Sequence, residues 1–459
     1  MRTRKPLARG RARVLIIVQN LPVPFDRRVW LECQTLTRAG YDVTVVCPTG
    51  EGTGAEQVVD GVRIVAYPAY APGGSALSYL LEYGYSFQAT ARLALRERRS
   101  GRFDVVQACN PPDIFWPLAW WLRLRDGSRF VFDHHDLCPE LFRSRFPDGP
   151  GLLHRGLLFL ERQTFRTADR VTSTNASYAE VARTRGGKAP EEVTVVRTGP
   201  DPDRLRRRES RPELRRGRRY LVAYLGVMGP QDGVDIVIRA ADVVVNDLGR
   251  RDITFCLMGS GDMRPSLLTE RDRLGLHDYV DMPGRVSDEV MADVLSTADL
   301  ALCPDPLNPL NDVSTMNKTM EYMAFEVPVV AFDLRETRVS AGEAARYVPP
   351  NSVDEFARTV VELVDDPDAR ARMGRFGRRR VEEHLAWTHQ QVGYRAVFDD
   401  LVGGTGKEPS PATPSGAPRT TMPRTATLRT AARRTATLRT AARRTAALRT
   451  AARPASSGA

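Results

Sequence analysis

Between residues 14 and 390, short apolar runs alternate regularly with longer amphipathic segments, and this alternation leaves few folds open to the chain. The runs are rich in β-branched residues, as in strands buried on both faces of a parallel sheet. The longer segments suit helices that cover such a sheet, so the pattern predicts an α/β protein. The predicted strands are residues 14–18, 43–47, 62–66, 105–108, 130–132, 171–173, 194–196, 221–225, 254–258, 279–282, 300–303 and 328–331. The predicted helices include residues 27–39, 79–98, 152–167, 233–248 and 263–274.

Residues 201–219 interrupt this alternation. They contain Pro202, Pro212, Gly217 and many arginines, and they show no apolar periodicity. Such a stretch is typical of a linker, because little in it can be buried in a core. The chain is also longer than one core usually supports, since single cores rarely grow beyond about 250–300 residues. We therefore predict two α/β domains joined by this segment.

Basic residues concentrate at the two ends of the chain. The net charge is +11, but residues 402–459 carry +10 and residues 1–13 carry +6, which leaves −5 for residues 14–401. Residues 424–453 repeat a ten-residue unit, RTATLRTAAR, with little to bury, so residues 402–459 are predicted to be a disordered tail. The ends are expected either to be dispensable or to contact an anionic membrane surface. The mildly acidic body argues against a nucleic-acid partner.

Cysteine spacing and hydropathy indicate the compartment. The six cysteines show neither zinc-type spacing nor a disulfide framework, which favours a reducing cytosol. No apolar run approaches the roughly 18 residues of a membrane span. We therefore expect a cytoplasmic protein that is soluble or held peripherally at the inner face of the plasma membrane. Trp116, Trp120 and Trp121 fit either a core or a membrane-facing surface.

Glycine-rich segments follow two predicted strands of the second half. Gly226 and Gly229 follow the first of these strands, and Gly259 and Gly261 follow the next. Glycine lets backbone N–H groups approach a phosphate closely. The first strand of the chain is not followed by GxGxxG, which argues against a dinucleotide cofactor. Asp26, after that strand, either caps the next helix or faces a ligand.

Two adjacent histidines, His134 and His135, stand at a predicted strand end between Asp133 and Asp136. Adjacent residues on an extended chain point to opposite sides, which disfavours joint binding of one metal ion. We expect one imidazole to be packed and the other to lie at a cleft, oriented by an aspartate. A purely structural histidine pair is the alternative.

The segment 311–324, NDVSTMNKTMEYMA, carries the strongest signal of a site. Its polar start predicts a helix N-terminus, and Lys318 and Glu321 are three residues apart, hence on one helix face. A helix N-terminus with a lysine suits a diphosphate, and a carboxylate one turn later can accept two sugar hydroxyls. The alternative is a surface ion pair between the two side chains.

Four segments occur in a characteristic order: DHHDLCPEL, GSGDMRPSL, VDMPGRVSDEVMADVLSTADLALCPD and NKTMEYMAFEVPVVA. In order and spacing they resemble the retaining family-4 glycosyltransferases of GT-B fold, and the likeness extends over residues 14–400. The resemblance implies two Rossmann-like domains facing a cleft. Residues 14–205 would bind the acceptor and residues 206–385 the nucleotide sugar, with residues 386–401 a helix that crosses back to the first domain. The extension 1–13 and the tail 402–459 lie outside it.

The resemblance also implies roles for individual residues. Glu321 would grip the donor ribose, Lys318 would lie near the diphosphate and His135 near the transferred sugar. A UDP- or GDP-linked sugar is the implied co-substrate, with no resident cofactor or metal. The other residues implied on the donor side are Gly226, Gly229, Gly259, Gly261, Arg285, Val286, Ser314, Thr315 and Asn317. The residues expected on the acceptor side are Asn20, Arg27, Arg28, Asn110 and Asp136.

This chain departs from the family pattern at two places. The first glutamate of the Glu–seven residues–Glu signature is replaced by Val313, and the basic positions after the first strand of the second domain hold Val227 and Asp232. An NKxxEYMA variant of the signature occurs within the family, so we expect a subfamily with a variant donor site. Asp312, Ser314 or backbone N–H groups near residues 315–317 would then hold the sugar.

The expected function is retaining transfer of a sugar to a glycan or lipid-linked acceptor, in polysaccharide or cell-envelope synthesis. Two alternatives stay open. A nucleotide-sugar epimerase of the same fold would need no acceptor. A non-catalytic or polyanion-binding scaffold is suggested by Val313, Val227, Asp232 and the arginine-rich tail.

Overall fold

The computed structural model describes residues 11–50, 54–70 and 76–403. The predicted disorder of the tail concerns residues outside this described part, as does most of the predicted extension 1–13. The strands are β1 Arg13–Ile17, β2 Asp42–Pro48, β3 Glu56–Val59, β4 Val62–Tyr67, β5 Val105–Cys109, β6 Arg129–His134, β7 Arg170–Ser173, β8 Val193–Val195, β9 Tyr220–Leu225, β10 Ile253–Met258, β11 Val280–Gly284, β12 Leu300–Cys303, β13 Val329–Phe332 and β14 Ala345–Val348. The α-helices are α1 Arg27–Arg38, α2 Ala76–Glu97, α3 Trp116–Asp126, α4 Cys138–Arg145, α5 Gly151–Thr167, α6 Ala176–Thr184, α7 Val234–Asp242, α8 Arg264–Arg273, α9 Asp288–Thr297, α10 Asn317–Ala324, α11 Arg335–Ala341, α12 Val353–Asp365, α13 Pro367–Arg380 and α14 Trp387–Val402.

The first sheet has eight strands in the order β3-β4-β2-β1-β5-β6-β7-β8. All neighbouring strands are parallel except β3, which is antiparallel to β4. The sequence pattern missed β3 because this edge strand buries none of its residues completely. β1 begins at Arg13, inside the predicted extension, where Arg13 pairs with Asp42 of β2 in the sheet register and its guanidinium lies 3.1 Å from the Asp42 carboxylate.

The second sheet has six parallel strands in the order β11-β10-β9-β12-β13-β14. β14 was missed because Arg346 and Tyr347, in its middle, remain partly exposed and break the apolar run. Helices pack on both faces of each sheet and form a separate apolar cluster on each face. The predicted fold class of two Rossmann-like domains is confirmed.

The last helix, α14, packs on the first sheet although it follows the second in sequence. Its Trp387 donates from Nε1 to Thr35 Oγ1 at 2.9 Å, and its Tyr394 hydroxyl donates to Gln107 Oε1 at 2.7 Å. Trp387, Tyr394 and Phe398 are buried in the same cluster as β1 and β2. Helix α14 therefore connects the second domain to the first.

The strand orders show where ligands can bind. The order reverses between β1 and β5 in the first sheet and between β9 and β12 in the second. Ligands of open α/β sheets bind outside the carboxyl ends of the strands at such switch points. Arg27 follows β1, Asn110 follows β5, Gly226 follows β9, and the segment leading to α10 follows β12. The topology thus places the predicted site residues at the two switch points.

Within the described parts of the chain, none of the helices has an apolar stretch that could cross a bilayer. All six cysteines are buried and unpaired with one another.

Candidate active site

Two consecutive arginines, Arg27 and Arg28, begin α1 and point to different parts of the molecule. Asp26 caps the helix by accepting from the Val29 N–H at 3.0 Å, so the capping alternative for Asp26 is confirmed. Arg28 is buried and donates to Asp133 Oδ1 at 2.8 Å. Arg27 stays half-exposed and reaches the second domain. The buried carboxylate of Asp133 draws Arg28 inward, so its observed contacts lie within the first domain, and its role on the acceptor side stays a prediction.

The two histidines diverge, as predicted. His134 is fully buried, and its ring centroid lies 5.4 Å from that of Phe132, 5.0 Å from Phe165 and 5.3 Å from Tyr178. Burial lowers the pKa of His134 to about 3, so this ring is neutral. His135 is partly exposed, and its Nε2 contacts the Asp133 carboxylate.

The backbone at His135 is held by Asn110. The Asn110 Oδ1 accepts from the N–H groups of His135 and Asp136 at 2.6 and 3.0 Å, and its Nδ2 donates to the Asp136 carbonyl at 2.7 Å. Asn110 is buried and positions this loop, while its expected contact with an acceptor stays a prediction. Asp136 is half-buried, with a pKa raised by burial, while Asn20 is exposed beyond β1.

Behind His135, potential ligand atoms of Glu32, Cys109, Asp133 and His135 lie within 4.8 Å of one another. The Arg28 guanidinium already lies among them, with its Nε 3.0 Å from Glu32 Oε1 and 2.7 Å from His135 Nε2. Burial raises the pKa of Glu32 well above its usual range. For Asp133, the effect of burial is outweighed by Arg28 and His135, which hold its pKa well below the usual range. The Arg28 guanidinium contacts both the Glu32 and the Asp133 carboxylates, so the cluster fits an internal ion pair that orients His135 and does not fit a metal ion.

The glycine-rich exits of β9 and β10 pack against each other. The Gly226 N–H donates to the Met258 carbonyl at 3.1 Å. Gly259 has φ +145°, and a Cβ there would lie 1.8 Å from the Gly226 carbonyl oxygen. A Cβ on Gly261 would lie 2.5 Å from the Met228 carbonyl oxygen. Gly259 and Gly261 are thus required because the two turns pack closely against each other. From the sequence, these glycines were expected to let the backbone approach a phosphate.

Gly229 is likewise engaged within the protein. Its N–H donates to Asp232 Oδ2 at 2.9 Å, across the short turn that leads into α7. Asp232 therefore closes this loop. In the family pattern, basic residues of the same loop would bind the diphosphate. Burial raises the pKa of Asp232 to about 6, although the Lys318 charge opposes this shift.

Lys318 pairs with Asp305 and not with Glu321, so the predicted alternative of a Lys318–Glu321 surface pair is wrong. The Lys318 Nζ donates to both carboxylate oxygens of Asp305, at 2.7 and 2.9 Å. The side chains are 10% and 3% exposed. Burial favours a neutral lysine, but Asp305 and Tyr224 outweigh it and raise the pKa of Lys318 well above its usual value. Asp305 was not among the residues expected from the sequence, although a carboxylate two residues after β12, at a switch point, is a usable signal.

The segment before α10 contacts α6 of the first domain. The Asn175 Nδ2 donates to the Val313 carbonyl and to Thr315 Oγ1, both at 3.0 Å. The Tyr178 hydroxyl lies 2.8 Å from Ser314 Oγ. Ser314 and Thr315, expected at the donor, are therefore engaged in the contact between the domains.

Val313, which replaces the first glutamate of the signature, lies in a small apolar cluster. Its neighbours there include Leu137, Tyr178 and Leu310. An ionised glutamate in this cluster would incur a desolvation penalty. The packing against the first domain thus explains an apolar residue at this position.

Glu321 faces the cleft and contacts the first domain. Its Oε1 accepts from Arg27 Nη1 at 2.5 Å, and Arg27 Nη2 donates to Asp288 Oδ1 at 2.7 Å. Arg204, in the linker, also pairs with Asp288. Burial raises the pKa of Glu321, against the opposing charge of Arg27. Arg27 thus links the start of α1 to the helices α9 and α10 of the second domain.

The remaining predicted donor residues lie around this point. The Arg285 guanidinium lies 4.1 Å from the centroid of the exposed Phe25 ring of the first domain. Val286 is partly buried against the core of the second domain. Asn317, the first residue of α10, is exposed.

Two protein families match this chain, one on each domain. Residues 26–199 match the family described as "Glycosyl transferase 4-like domain", and residues 219–366 match the family described as "Glycosyl transferases group 1". The two matches adjoin the predicted linker and together span well over half of the chain.

Individual relatives agree with these families. The chain is 27% identical over 252 residues to the MMP alpha-(1->4)-mannosyltransferase of Mycolicibacterium hassiacum, covering 54% of this chain and 58% of that protein. It is 31% identical over 170 residues to the alpha-D-kanosaminyltransferase of Streptomyces kanamyceticus, covering 37% of this chain and 42% of that protein. The matched part of the chain thus spans about half the length of these curated relatives.

Solved structures show the same fold at low sequence identity. Sucrose-phosphate synthase of Thermosynechococcus elongatus superposes with a TM-score of 0.69 at 15% identity, covering 86% of this chain and 100% of that one. HepE of Anabaena, solved in complex with UDP, superposes with a TM-score of 0.62 at 15% identity, covering 85% of this chain and 100% of that one. With its fold and the two family matches, the chain belongs to the GT-B glycosyltransferases of the family 4 type.

Proposed function

We propose that the protein transfers a sugar, with retention of configuration and without a metal ion, from a UDP- or GDP-linked sugar to a glycan or lipid-linked acceptor. The observation that carries the proposal is the pair of consecutive arginines that begins α1. Arg27 contacts Glu321 and Arg28 contacts His135. The residue assigned to the donor ribose and the residue assigned to the transferred sugar are thus each bound by an arginine of the first turn of α1. We place the reaction at the cytoplasmic face of the membrane, in polysaccharide or envelope synthesis.

At the ribose, Glu321 would accept two hydroxyl hydrogen bonds, which are stronger to an ionised acceptor than to a neutral one. Arg27 holds one oxygen of this carboxylate. Donor binding would therefore require Arg27 to shift or to share the carboxylate. Because the Arg27 side chain is 45% exposed, that movement displaces little packed structure.

At the diphosphate, Lys318 and the N-terminus of α10 would stabilise the charge that the leaving group gains. An ammonium has three donors, and Lys318 gives two to Asp305, which leaves one for a phosphate oxygen. A Cβ on Gly226 would lie 3.2 Å from Lys318 Cε. The lysine thus lies directly beside the β9 exit, where the family pattern expects the diphosphate.

In the proposed reaction, the bond between the anomeric carbon and the phosphate oxygen breaks while the acceptor oxygen bonds to the same face of that carbon. The acceptor hydroxyl proton passes to the departing phosphate. His135 would position the sugar, with its ring oriented by Asp133 and Arg28. No covalent enzyme intermediate is required.

A non-catalytic role is the second candidate, and a specific observation favours it. Two carboxylates, Asp232 and Asp305, lie near Lys318 at the place of the expected diphosphate. They reduce the positive potential that a diphosphate would meet.

The two candidates are distinguished by incubating the protein with UDP- and GDP-linked sugars, with and without a lipid-linked or glycan acceptor. Acceptor-dependent release of nucleoside diphosphate, with a product whose anomeric configuration matches that of the donor by NMR, supports the proposal. Conversion of the sugar without an acceptor would indicate an epimerase. Absence of both release and binding across the panel would favour the non-catalytic role.

Asp232 predicts a pH dependence of donor binding. Its carboxyl, with a pKa of about 6, is neutral below that pH and repels a diphosphate above it. We expect the Kd of a nucleotide sugar, whose diphosphate does not titrate in this range, to rise about tenfold from about pH 5 to about pH 8. Asp232→Asn keeps an oxygen for the Gly229 N–H and should remove most of this rise in calorimetric titrations. An equal rise in native protein and variant would rule out Asp232 as its source.

A further inference from the structure

Helices α2, α3 and α5 share one face of the first sheet and expose an unusual set of side chains. Their inner sides contribute Ala94, Leu118 and Phe165 to one apolar cluster. Their outer sides carry nine of the twenty exposed large hydrophobic residues found in the described parts of the chain. We call this outer side the aromatic–basic face. Such a concentration on three helices is not expected of an ordinary solvated surface.

On α3, Trp120, Trp121 and Leu124 are 51%, 40% and 65% exposed. Of the two alternatives for the tryptophan cluster, core or surface, Trp120 and Trp121 therefore lie at the surface. Each indole ring carries a large apolar area, and about half of it is in contact with solvent at these two positions. Tryptophan is, however, the residue that favours the boundary between lipid headgroups and acyl chains.

On α5, apolar and basic residues form one stripe. Leu152 and Phe159 are 79% and 56% exposed, and Arg155, Arg162 and Arg166 lie between or beyond them at spacings of three and four residues. This spacing puts all five on one side of the helix. Within the described residues, none of the three arginines is paired with a carboxylate. A stripe of this composition is typical of helices that lie on a membrane surface.

The three helices form a continuous surface. α3 packs against α5, and the segment after α2 is tied to α3 by the ion pair of Arg98 with Asp126 at 2.6 Å. α2 adds the exposed Leu81, Arg92 and Leu95. The basic and apolar residues therefore extend over one side of the first domain.

Negative charge is nearly absent from this surface. Three of the four carboxylates on the three helices are paired with arginines: Glu97 with Arg63, Asp126 with Arg98 and Glu161 with Arg185. The fourth, Glu82, is partly buried and accepts from Gln19. The free arginines thus give the aromatic–basic face a positive potential.

We propose that the aromatic–basic face docks on a bilayer that contains anionic phospholipid. The arginines would pair with headgroup phosphates while Trp120, Trp121 and Phe159 enter the interfacial region. A second copy of the chain complements this face less well. A two-fold dimer interface sets the same patch against itself, so arginines would meet arginines. The proposal goes beyond sugar transfer, since vesicle binding needs neither donor nor acceptor.

The test uses the full chain and vesicles of phosphatidylcholine, with and without phosphatidylglycerol, some carrying brominated acyl chains. Sedimentation measures binding, and quenching of tryptophan fluorescence by bromine reports rings that reach the acyl region. We compare native protein with Trp120→Ser/Leu124→Ser and with Arg162→Gln/Arg166→Gln. The matched controls are Val392→Ser, 68% exposed on α14 at the opposite face of the sheet, and Arg358→Gln, exposed on α12. The basic tail is present in every variant, so differences in vesicle binding between the variants do not come from the tail.

We expect binding that requires phosphatidylglycerol and quenching of the native tryptophans. The Trp120→Ser/Leu124→Ser variant should bind the vesicles at least about tenfold more weakly than native protein. Each arginine replaced should lower the affinity about fivefold. The two controls should bind like native protein. Native binding without quenching, unchanged binding of both face variants, or a native dimer that Trp120→Ser/Leu124→Ser dissociates would each overturn the proposal.

Discussion

Replacing Glu321 by glutamine is expected to lower kcat/KM for sugar transfer at least about a hundredfold. The amide cannot accept two hydroxyl hydrogen bonds with the strength of a carboxylate, and charge-assisted bonds contribute about 1.5–3 kcal/mol each. The measurement is the initial rate of nucleoside diphosphate release with the donor that the native protein uses. Most of the loss should appear as weaker donor binding.

Two further variants separate this role from the contact between domains. Arg27→Ala removes the same ion pair but leaves Glu321 intact, and we expect the donor Kd to stay the same or decrease. Because this pair is partly exposed, its loss should change the free energy of unfolding by only about 1 kcal/mol or less. Glu355→Gln, an exposed glutamate on α12, serves as the matched control. Transfer by Glu321→Gln at the native rate would remove Glu321 from the site.

Lys318→Met is expected to abolish measurable transfer and to lower the free energy of unfolding by about 3 kcal/mol. The stability loss follows because Asp305 is only 3% exposed and would be left as an unpaired buried charge. The catalytic loss follows because Lys318 is the cation beside the β9 exit. Urea unfolding and initial rates measure the two effects.

The double variant Lys318→Met/Asp305→Leu distinguishes the structural role of the lysine from its catalytic one. Replacing both members of a buried ion pair by apolar residues is often neutral or stabilising. We therefore expect the double variant to recover most of the native stability but none of the transfer. If transfer returns together with stability, Lys318 only supports the fold.

The sequence predicted the sheets well because buried parallel strands leave an unambiguous apolar pattern. β12 coincides with its predicted range, residues 300–303. β3 was missed because an edge strand with exposed side chains leaves no such pattern. The neighbourhood of site residues was therefore predictable, since strand order alone brings the carboxyl ends of β1, β5, β9 and β12 to the switch points.

The partners of the site residues were not predictable in the same way. Asp305 with Lys318, Arg27 with Glu321 and Asn175 with Thr315 are separated by 13, 294 and 140 residues, and no local periodicity relates them. Each pairing depends on how two loops meet at a sheet edge or across the cleft. For this reason Ser314, Thr315 and Arg28 were expected at a ligand, whereas the structure uses them to hold its own elements together.

The most direct test of the central claim is calorimetric titration of the native protein with UDP- and GDP-linked sugars. We predict saturable binding of one nucleotide series at a single site. That binding should be lost in Glu321→Gln and in Lys318→Met/Asp305→Leu, and kept in Glu355→Gln. Folded native protein that binds neither series, or binding that both site variants retain, would contradict the assignment of this cleft to a nucleotide sugar.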